Sequence, residues 1–82
     1  MNRYSVLLFA RAKELAGAAA VELDLREGAT VADLRKMLGE KHSELTPLLR
    51  HCLFAVNDVY AEEAQVLPAN AEIACIPPVS GG

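Results

Sequence analysis

A strand pattern passes directly into a helix pattern over residues 21–41, which read VELDLREGATVADLRKMLGEK. Val21 to Leu25 alternates apolar and charged side chains. This period of two predicts a β-strand with one face in water. Gly28 marks the turn that follows the strand.

The helix in this stretch has its own start signals. Thr30 is placed as an N-cap, and Asp33, three residues on, is the acid of a short capping box. Apolar side chains then recur on one stripe at helical spacing: Val31, Leu34, Leu38 and, beside them, Met37. The sequence therefore predicts one main helix that runs to about Lys41.

Two further elements are predicted on the N-terminal side. The apolar run Tyr4 to Phe9 contains β-branched and aromatic residues, which is typical of a strand covered on both faces near the centre of a sheet. Ala10 to Ala16 is rich in helix formers and stops at Gly17, so we expect a short helix that a left-handed residue closes.

On the C-terminal side, Ser43 to His51 predicts either a loop or a short helical turn that Pro47 opens and Thr46 caps. The later elements are clearer. In chain order they are the strand Leu53–Val56, the turn Asn57-Asp58, the short return strand Val59-Tyr60, a turn at Leu67 to Asn70 and the last strand Glu72–Ile76.

This order of elements predicts an α+β domain in which a mixed sheet wraps around one main helix. A β-grasp, ubiquitin-like fold satisfies these constraints, with the apolar face of the sheet against the stripe of the main helix. We expect this domain to span residues 1–76 and a flexible tail to span residues 77–82.

The composition excludes several classes of function. The 82 residues include 8 Lys or Arg and 11 Asp or Glu, for a formal net charge of -3, and they form no basic stripe for nucleic acid. The acidic group of Asp58, Glu62 and Glu63 is interpreted as a solvated turn, with docking of a basic partner as the less favoured alternative. No segment approaches the roughly 20 apolar residues of a membrane helix, and we expect a cytoplasmic protein.

The cysteines and histidines predict no site of their own. Cys52 and Cys75 are too few for the disulfide framework of a small secreted domain, so both are expected to be reduced. Cys75 lies close enough to the C-terminus to be suspected of carrying sulfur, but a structural role in the strand is favoured. His42 and His51 lack further ligands at metal spacing and are interpreted as surface residues, so we expect no metal site.

The C-terminus carries the strongest functional signal. It reads IPPVSGG over residues 76–82, and its two prolines can neither continue a helix nor donate to a sheet ladder. We therefore expect the tail to project by as much as ~20 Å, at roughly 3.3 to 3.6 Å per residue. The prolines stiffen its root, and the glycines lack the Cβ atoms that a narrow channel would reject. A frayed end is the alternative.

A carboxylate at the tip of such an arm suggests a group carrier. An ionised carboxylate is a poor electrophile until ATP converts it into an acyl adenylate. The catalytic groups are therefore expected in partner proteins. Once activated, Gly82 can accept sulfur as a thiocarboxylate or form an amide or a thioester.

Five segments resemble the small subunit of molybdopterin synthase, and together they span essentially the whole chain. They are Val6-Leu7-Leu8-Phe9-Ala10, Glu14-Leu15-Ala16-Gly17, Ala29-Thr30-Val31, Ala55-Val56-Asn57 and Pro77-Pro78-Val79-Ser80-Gly81-Gly82. The Pro-Pro-hydrophobic-Ser/Thr-Gly-Gly ending is the most specific of them. Relatives often have aromatic residues just before the prolines, where this chain has Cys75-Ile76.

The resemblance implies a β-grasp fold and a role in molybdenum cofactor biosynthesis. It implies that an E1-like adenylyltransferase uses ATP to activate Gly82, and that a sulfur donor system converts the carboxylate into a thiocarboxylate. The tail then enters the large synthase subunit through Gly81, Ser80 and Val79. There, two sulfurs are added in successive steps to cyclic pyranopterin monophosphate.

The same resemblance implies a non-catalytic small subunit that binds no cofactor itself and assembles as a heterotetramer with two large subunits. The surface that partners grip is expected to include Phe9, Ile76, Pro77 and Pro78. Two alternatives stay open, since both start from the same activated carboxylate. One is a ubiquitin-like protein modifier, and the other is a sulfur carrier for thiamine or cysteine synthesis.

Overall fold

A computed structural model describes residues 1–78 of the chain. Its strands are β1 (Asn2–Leu8), β2 (Ala20–Leu25), β3 (Leu53–Val56), β4 (Val59–Ala61) and β5 (Glu72–Ile76). Its helices are α1 (Ala10–Ala16), α2 (Val31–Lys41) and α3 (Thr46–Leu49), with a 3-10 turn at Ser43–Leu45 just before α3. The predicted order of elements is confirmed.

The strands form one mixed sheet in the order β2-β1-β5-β3-β4. β1 pairs antiparallel with β2 and parallel with β5, whereas β3 pairs antiparallel with both β5 and β4. An N-terminal hairpin is thus followed by a crossover through α2 that brings β5 beside β1. This arrangement confirms the predicted β-grasp, ubiquitin-like architecture.

The capping box at the start of α2 is formed as predicted. The hydroxyl oxygen of Thr30 accepts a hydrogen bond from the Asp33 amide at 3.3 Å, and the Asp33 carboxylate accepts one from the Thr30 amide at 2.9 Å. The backbone hydrogen bond from Thr30 lowers the pKa of Asp33, because it favours the charged carboxylate. Along the helix, the core-facing residues are fully covered: Val31, Leu34 and Leu38. Met37, which the sequence placed beside this stripe, is instead exposed.

β1 corrects the prediction that both of its faces are covered. Tyr4, Val6 and Leu8 are buried, but Ser5 is exposed and Leu7 is only half-buried. The buried core includes residues from all three helices on one face of the sheet. In the sheet, β1 is an inner strand that lies next to the central β5. The other face of the sheet carries no helix among residues 1–78, so only one face of β1 is covered.

Left-handed residues close the two tight connections that the sequence predicts. Gly17 has a φ of 71°, and its amide donates to the carbonyl oxygen of Lys13 to end α1. Asn57 and Asp58 have φ values of 51° and 69°, the pattern of a hairpin turn that matches the twist of β3 and β4. The Asn57 side chain also accepts a hydrogen bond from the Glu72 amide at 2.9 Å and so ties this turn to β5.

The segment from Ser43 to His51, which the sequence predicted to be either a loop or a short helical turn, is helical from Ser43 to Leu49. Thr46 is the first residue of α3 and does not cap it, contrary to one of the alternatives. Its hydroxyl instead donates to the Gly39 carbonyl oxygen at 3.3 Å. The backbone of Leu45 before it is already helical, so no free N-cap position exists at Thr46.

Arg35 on α2 corrects the interpretation of the acidic group as only a solvated turn. Its guanidinium donates to both carboxylate oxygens of Glu63, at 2.9 Å and 2.6 Å. A further N–H group donates to the carbonyl oxygens of Leu49 and Cys52. The pair with Glu63 therefore holds α2 against the loop after β4, and the two carbonyl contacts hold it against the segment just before β3.

The two cysteines are free and buried, as predicted. His51 is exposed, but His42 is not the surface residue that the sequence suggested. Its side chain is only 23% exposed, and its Nε2 atom is buried without a hydrogen-bond partner among the described residues. His42 lies directly after α2, where its amide donates to the Leu38 carbonyl oxygen and turns the chain back over the core.

Candidate functional site

The chain leaves the sheet at the carboxyl end of β5. Ile76 is half-buried, Pro77 is buried and Pro78 is exposed, so the first proline fixes the root of the tail on the domain. Four of the predicted site residues lie outside the described part of the chain: Val79, Ser80, Gly81 and Gly82. Their roles stay predictions.

A groove opens between α1 and the root of the tail, and four predicted partner-binding residues meet there. Phe9 forms part of its wall and is 46% exposed. The Phe9 amide donates to the Cys75 carbonyl oxygen at 3.3 Å, which fixes the start of α1 beside β5. The groove is also lined by Leu48 and by the residues of the tail root: Ile76, Pro77 and Pro78.

The face of the sheet that carries no helix is apolar at the end where the tail leaves. Side chains alternate between the two faces of a strand, so the strand register defines which residues share this face, and Ala55 among them is buried. The residues of this face at the tail end are Leu7, Leu53, Ala55, Tyr60, Ala74 and Ile76. We refer to these six residues as the apolar half-face. Leu53 and Tyr60 are 58% and 66% exposed.

The other half of this face is polar. Arg3 on β1 lies beside two carboxylates of β2, with Nε 3.0 Å from Asp24 and Nη1 3.5 Å from Glu22. The hydrogen bond from Arg3 lowers the pKa of Asp24. Because these exposed ions keep their hydration, the apolar area available for docking is concentrated beside the tail.

Cys75 lies on the opposite, covered side of β5. Burial raises the pKa of its thiol, and burial also raises the pKa of Cys52. The Cys52 thiol donates to the Leu48 carbonyl oxygen at 3.4 Å. Both groups are therefore neutral thiols in the core, without the thiolate character or the exposure that sulfur chemistry requires.

Within residues 1–78, no group of three or more His, Cys, Asp and Glu side chains is arranged to hold a metal ion. Over the same residues, every helix is too short or too polar to cross a membrane.

Sequence reasoning identified four residues of this surface and missed most of the apolar half-face. For β5, the period of two in a strand could have identified part of this face. It places Ala74 and Ile76 on the open face and the buried Ile73 and Cys75 on the covered face. The pairing of Leu53 with Ile76 and of Ala55 with Ala74 required the strand register, which the sequence does not reveal.

Comparisons with known proteins agree on one family. Residues 6–82 match the ThiS family. The chain is 37% identical over 84 residues to the molybdopterin synthase sulfur carrier subunit of Dictyostelium discoideum, covering 99% of this chain and 98% of that protein. It is 35% identical to the subunit of the same name from Chlamydomonas reinhardtii, covering 94% and 95%. Among solved structures, SAMP1 from Haloferax volcanii is 30% identical, with a TM-score of 0.87 and coverage of 99% and 100%.

Proposed function

Because the chain belongs to the ThiS family and is similar over its whole length to molybdopterin synthase sulfur carrier subunits, we propose that it carries sulfur on its C-terminal glycine for that enzyme. One structural observation carries the proposal. The apolar half-face, the groove and the root of the tail lie at the same end of the domain. A partner that grips this end receives the tail at the same time.

The group-bearing atom is the terminal carboxylate of Gly82. In the proposed reaction, a carboxylate oxygen attacks the α-phosphorus of ATP in an E1-like adenylyltransferase, and pyrophosphate leaves. A sulfur nucleophile at the oxidation level of hydrosulfide then displaces AMP and leaves a thiocarboxylate. The domain contributes no catalytic group to either step, and ATP is bound by the activating partner.

Delivery follows in the large subunit of the synthase. Val79, Ser80 and Gly81 pass through its channel, while Phe9, Ile76 and the two prolines pack outside it. The acceptor is cyclic pyranopterin monophosphate, which receives two sulfurs in successive steps. We further propose a heterotetramer of two small and two large subunits and a cytoplasmic location.

Mass spectrometry of the intact protein tests this function. The full chain is incubated with ATP, an E1-like enzyme and a sulfur donor, with the omission of ATP as the control. We expect a mass gain equal to the replacement of one oxygen by sulfur, and fragmentation should localise it to Gly82. An unchanged mass in the complete reaction, or sulfur on another residue, would contradict the proposal.

A second candidate is a ubiquitin-like protein modifier. It is favoured by the similarity to SAMP1, since a related structure of that Haloferax volcanii protein bears the name small archaeal modifier protein 1. In this case Gly82 forms an isopeptide bond with a lysine of a target protein. Conjugated proteins of higher mass in the same incubation would support it. A carrier for thiamine or cysteine synthesis would instead show the same thiocarboxylate with a different acceptor.

A further inference from the structure

The three lysines of the chain, at positions 13, 36 and 41, lie in different parts of the fold. Their amines matter because a neutral amine is a nucleophile that attacks an activated carboxylate such as an acyl adenylate. The tail of this protein carries such a carboxylate in the proposed reaction. The position of each lysine therefore decides whether the tail can acylate its own domain.

Lys13 lies at the root of the tail. Its side chain lines the groove that Pro77 and Pro78 also line, so the lysine and the start of the tail face the same space. The hydrogen bond from the Phe9 amide to the Cys75 carbonyl oxygen, at 3.3 Å, fixes the start of α1 beside the end of β5. Lys13 follows Phe9 by four residues, a rise of about 6 Å along a helix. The lysine is therefore held near the point where the tail begins.

The chain beyond Pro78 is long enough to return to this lysine. Four residues follow Pro78, and at roughly 3.3 to 3.6 Å per residue they reach at most about 14 Å. The whole of α1 is only about 10 Å long at the rise of an α-helix. Glycine accepts either sign of φ, so Gly81 and Gly82 allow the end of the chain to turn. The terminal carbonyl carbon and the Lys13 amine can therefore meet within one molecule.

The amine of Lys13 is also accessible. The residue is exposed, and among residues 1–78 no carboxylate lies within 4.0 Å of its Nζ. Glu14 lines the same groove, but its carboxylate lies 3.6 Å from the guanidinium of Arg11. No ion pair with the described residues therefore holds Lys13 away from a reagent in the groove.

The other two lysines are placed elsewhere. Lys41 is the last residue of α2, and its Nζ donates to the Glu22 carbonyl oxygen of β2 at 3.1 Å. Lys36 lines a second groove between α2 and α3, which shares no residue with the groove at the tail root. The thiols of Cys52 and Cys75, the other strong nucleophiles, are buried in the core. Among the lysines and the cysteines, Lys13 alone borders the groove at the tail root.

We propose that Lys13 is an internal acceptor for the activated tail, and that a carrier which receives no sulfur closes into a ring through an isopeptide bond between Lys13 and Gly82. This inference rests on the proposed function, which supplies the acyl adenylate. The neutral Nζ attacks the carbonyl carbon of Gly82, so that a C–N bond forms and the C–O bond to AMP breaks. AMP leaves with the electron pair of that bond, and one proton of the amine passes to water.

Closure within one molecule is favoured over acylation of a separate protein. A short connection raises the effective concentration of its two ends to the millimolar range. Closure requires a tail that is outside a partner, because a tail extended into a channel holds Gly82 away from α1. The product is an amide and leaves no terminal carboxylate for sulfur, so the ring takes an activated but unsulfurated chain out of use.

A full-length chain that ends in a thioester of 2-mercaptoethanesulfonate tests the inference without an activating enzyme. The chain is kept at about 10 µM, well below the effective concentration that a short connection gives. Ring closure yields the mass of the unmodified chain less one water, and fragmentation after trypsin digestion identifies the acceptor. Lys13→Arg is compared with Lys36→Arg, because both variants replace an exposed lysine and retain its charge. The same thioester in concentrated urea is the control for the role of the fold.

We expect the folded chain to form a ring between Lys13 and Gly82. Lys13→Arg should reduce ring formation relative to hydrolysis at least about tenfold, whereas Lys36→Arg should change it less than about twofold. In urea the preference for Lys13 should be lost. Equal closure on Lys36 or Lys41, an unchanged preference in urea, or hydrolysis without any ring would overturn the inference.

Failure of this inference and failure of the carrier function give different results. A thiocarboxylate in the ATP-dependent reaction, with no ring from the thioester, would overturn the inference and leave the carrier function intact. A Lys13 ring from the thioester, with no ATP-dependent mass gain, would support Lys13 as the acceptor and overturn the carrier function.

Discussion

The guanidinium carbon of Arg35 lies 4.8 Å from the centroid of the Phe54 ring. The same side chain bonds to Glu63 and to the carbonyl oxygens of Leu49 and Cys52. One residue of α2 thus joins three segments that are distant in sequence: the end of α3, the start of β3 and the loop after β4. The start of β3 carries part of the apolar half-face, so this junction supports the docking surface from behind.

Substitution of Arg35 is expected to destabilise the domain markedly. Arg35→Ala removes the side-chain donor to the Cys52 carbonyl oxygen and one of the two donors to the Leu49 carbonyl oxygen, which keeps its bond from the Cys52 amide. It also removes the cation from the Phe54 ring, and it should lower the free energy of unfolding by about 2 to 4 kcal/mol. Glu63→Gln is the matched control. It removes only an ion pair whose acid is 53% exposed, and we expect less than about 1 kcal/mol. Urea denaturation measures both, and equal losses would contradict this assignment.

The sequence could predict the capping and the apolar stripe of α2, but it could not predict the contacts of Arg35 in the same helix. The capping box of Thr30 and Asp33 and the apolar stripe are local signals, because the residues that form each of them lie within a few helical turns. The sequence predicted both, apart from Met37, which is exposed. The partners of Arg35 are 14 to 28 residues away. An arginine in an amphipathic helix is typical of a solvent-facing position, so the sequence gives no sign of such contacts.

The same distinction applies to the candidate site. The prolines at the root of the tail could be singled out because the limits of their backbone are properties of single residues. The roles of Gly81 and Gly82 rest on the same kind of reasoning and stay predictions, since both lie outside the described residues. Leu53 and Tyr60 were seen only as strand residues, because their exposure depends on which face lacks a helix. Phe9 was placed near the tail by family resemblance, and its position follows physically from the parallel pairing of β1 with β5.

Acid should weaken the domain through the capping carboxylate of α2. The pKa of Asp33 is lower in the folded state than its ordinary value of 3.8. Its contribution to stability is therefore fully present above that value and is lost as the pH falls through the folded-state pKa. We expect Asp33→Asn to flatten the decline in stability between about pH 4 and pH 2, measured by urea denaturation at each pH.

Asp58→Asn is the control for that pH profile. Asp58 is exposed in the turn after β3, and asparagine also adopts the left-handed conformation found there. This variant should keep the slope of the unmodified chain. An unchanged slope in Asp33→Asn would show that the capping carboxylate does not contribute to acid unfolding.

Cys75 should be dispensable for sulfur transfer. Its thiol is fully buried, and burial raises its pKa, so it remains protonated at neutral pH. Cys75→Ser places a hydroxyl in the core and should cost about 1 to 2 kcal/mol of stability, yet the folded variant should still gain sulfur on Gly82. Intact mass after the ATP-dependent reaction measures the transfer, and circular dichroism confirms folding. Failure of transfer in a folded variant would move the sulfur site from the carboxylate to the thiol.

The apolar half-face should be required for docking. Leu53 and Val66 are exposed to similar extents, 58% and 55%, but only Leu53 belongs to the half-face. Leu53→Asp places a charge where a partner would exclude water, and it should weaken binding to the large synthase subunit more than about tenfold. Val66→Asp is the matched control and should change binding by less than about twofold. Isothermal titration calorimetry measures both affinities, and similar losses would contradict the proposed docking surface.

The length of the tail should matter as much as its final residue. If the carboxylate of Gly82 must reach an active site inside a partner, then deletion of Gly81 and Gly82 shortens the tail by about 7 Å, and the new terminus stops short of the reacting atoms. Addition of one alanine after Gly82 moves the carboxylate past them and introduces a Cβ where the channel accepts none. We expect both variants to bind the large subunit within about threefold of the unmodified chain, because the half-face is intact, while sulfur gain falls below detection. Intact mass spectrometry and calorimetry on the same preparations separate the two effects. Transfer by the extended chain, without removal of the added residue, would show that the terminal carboxylate of Gly82 is not the carrier.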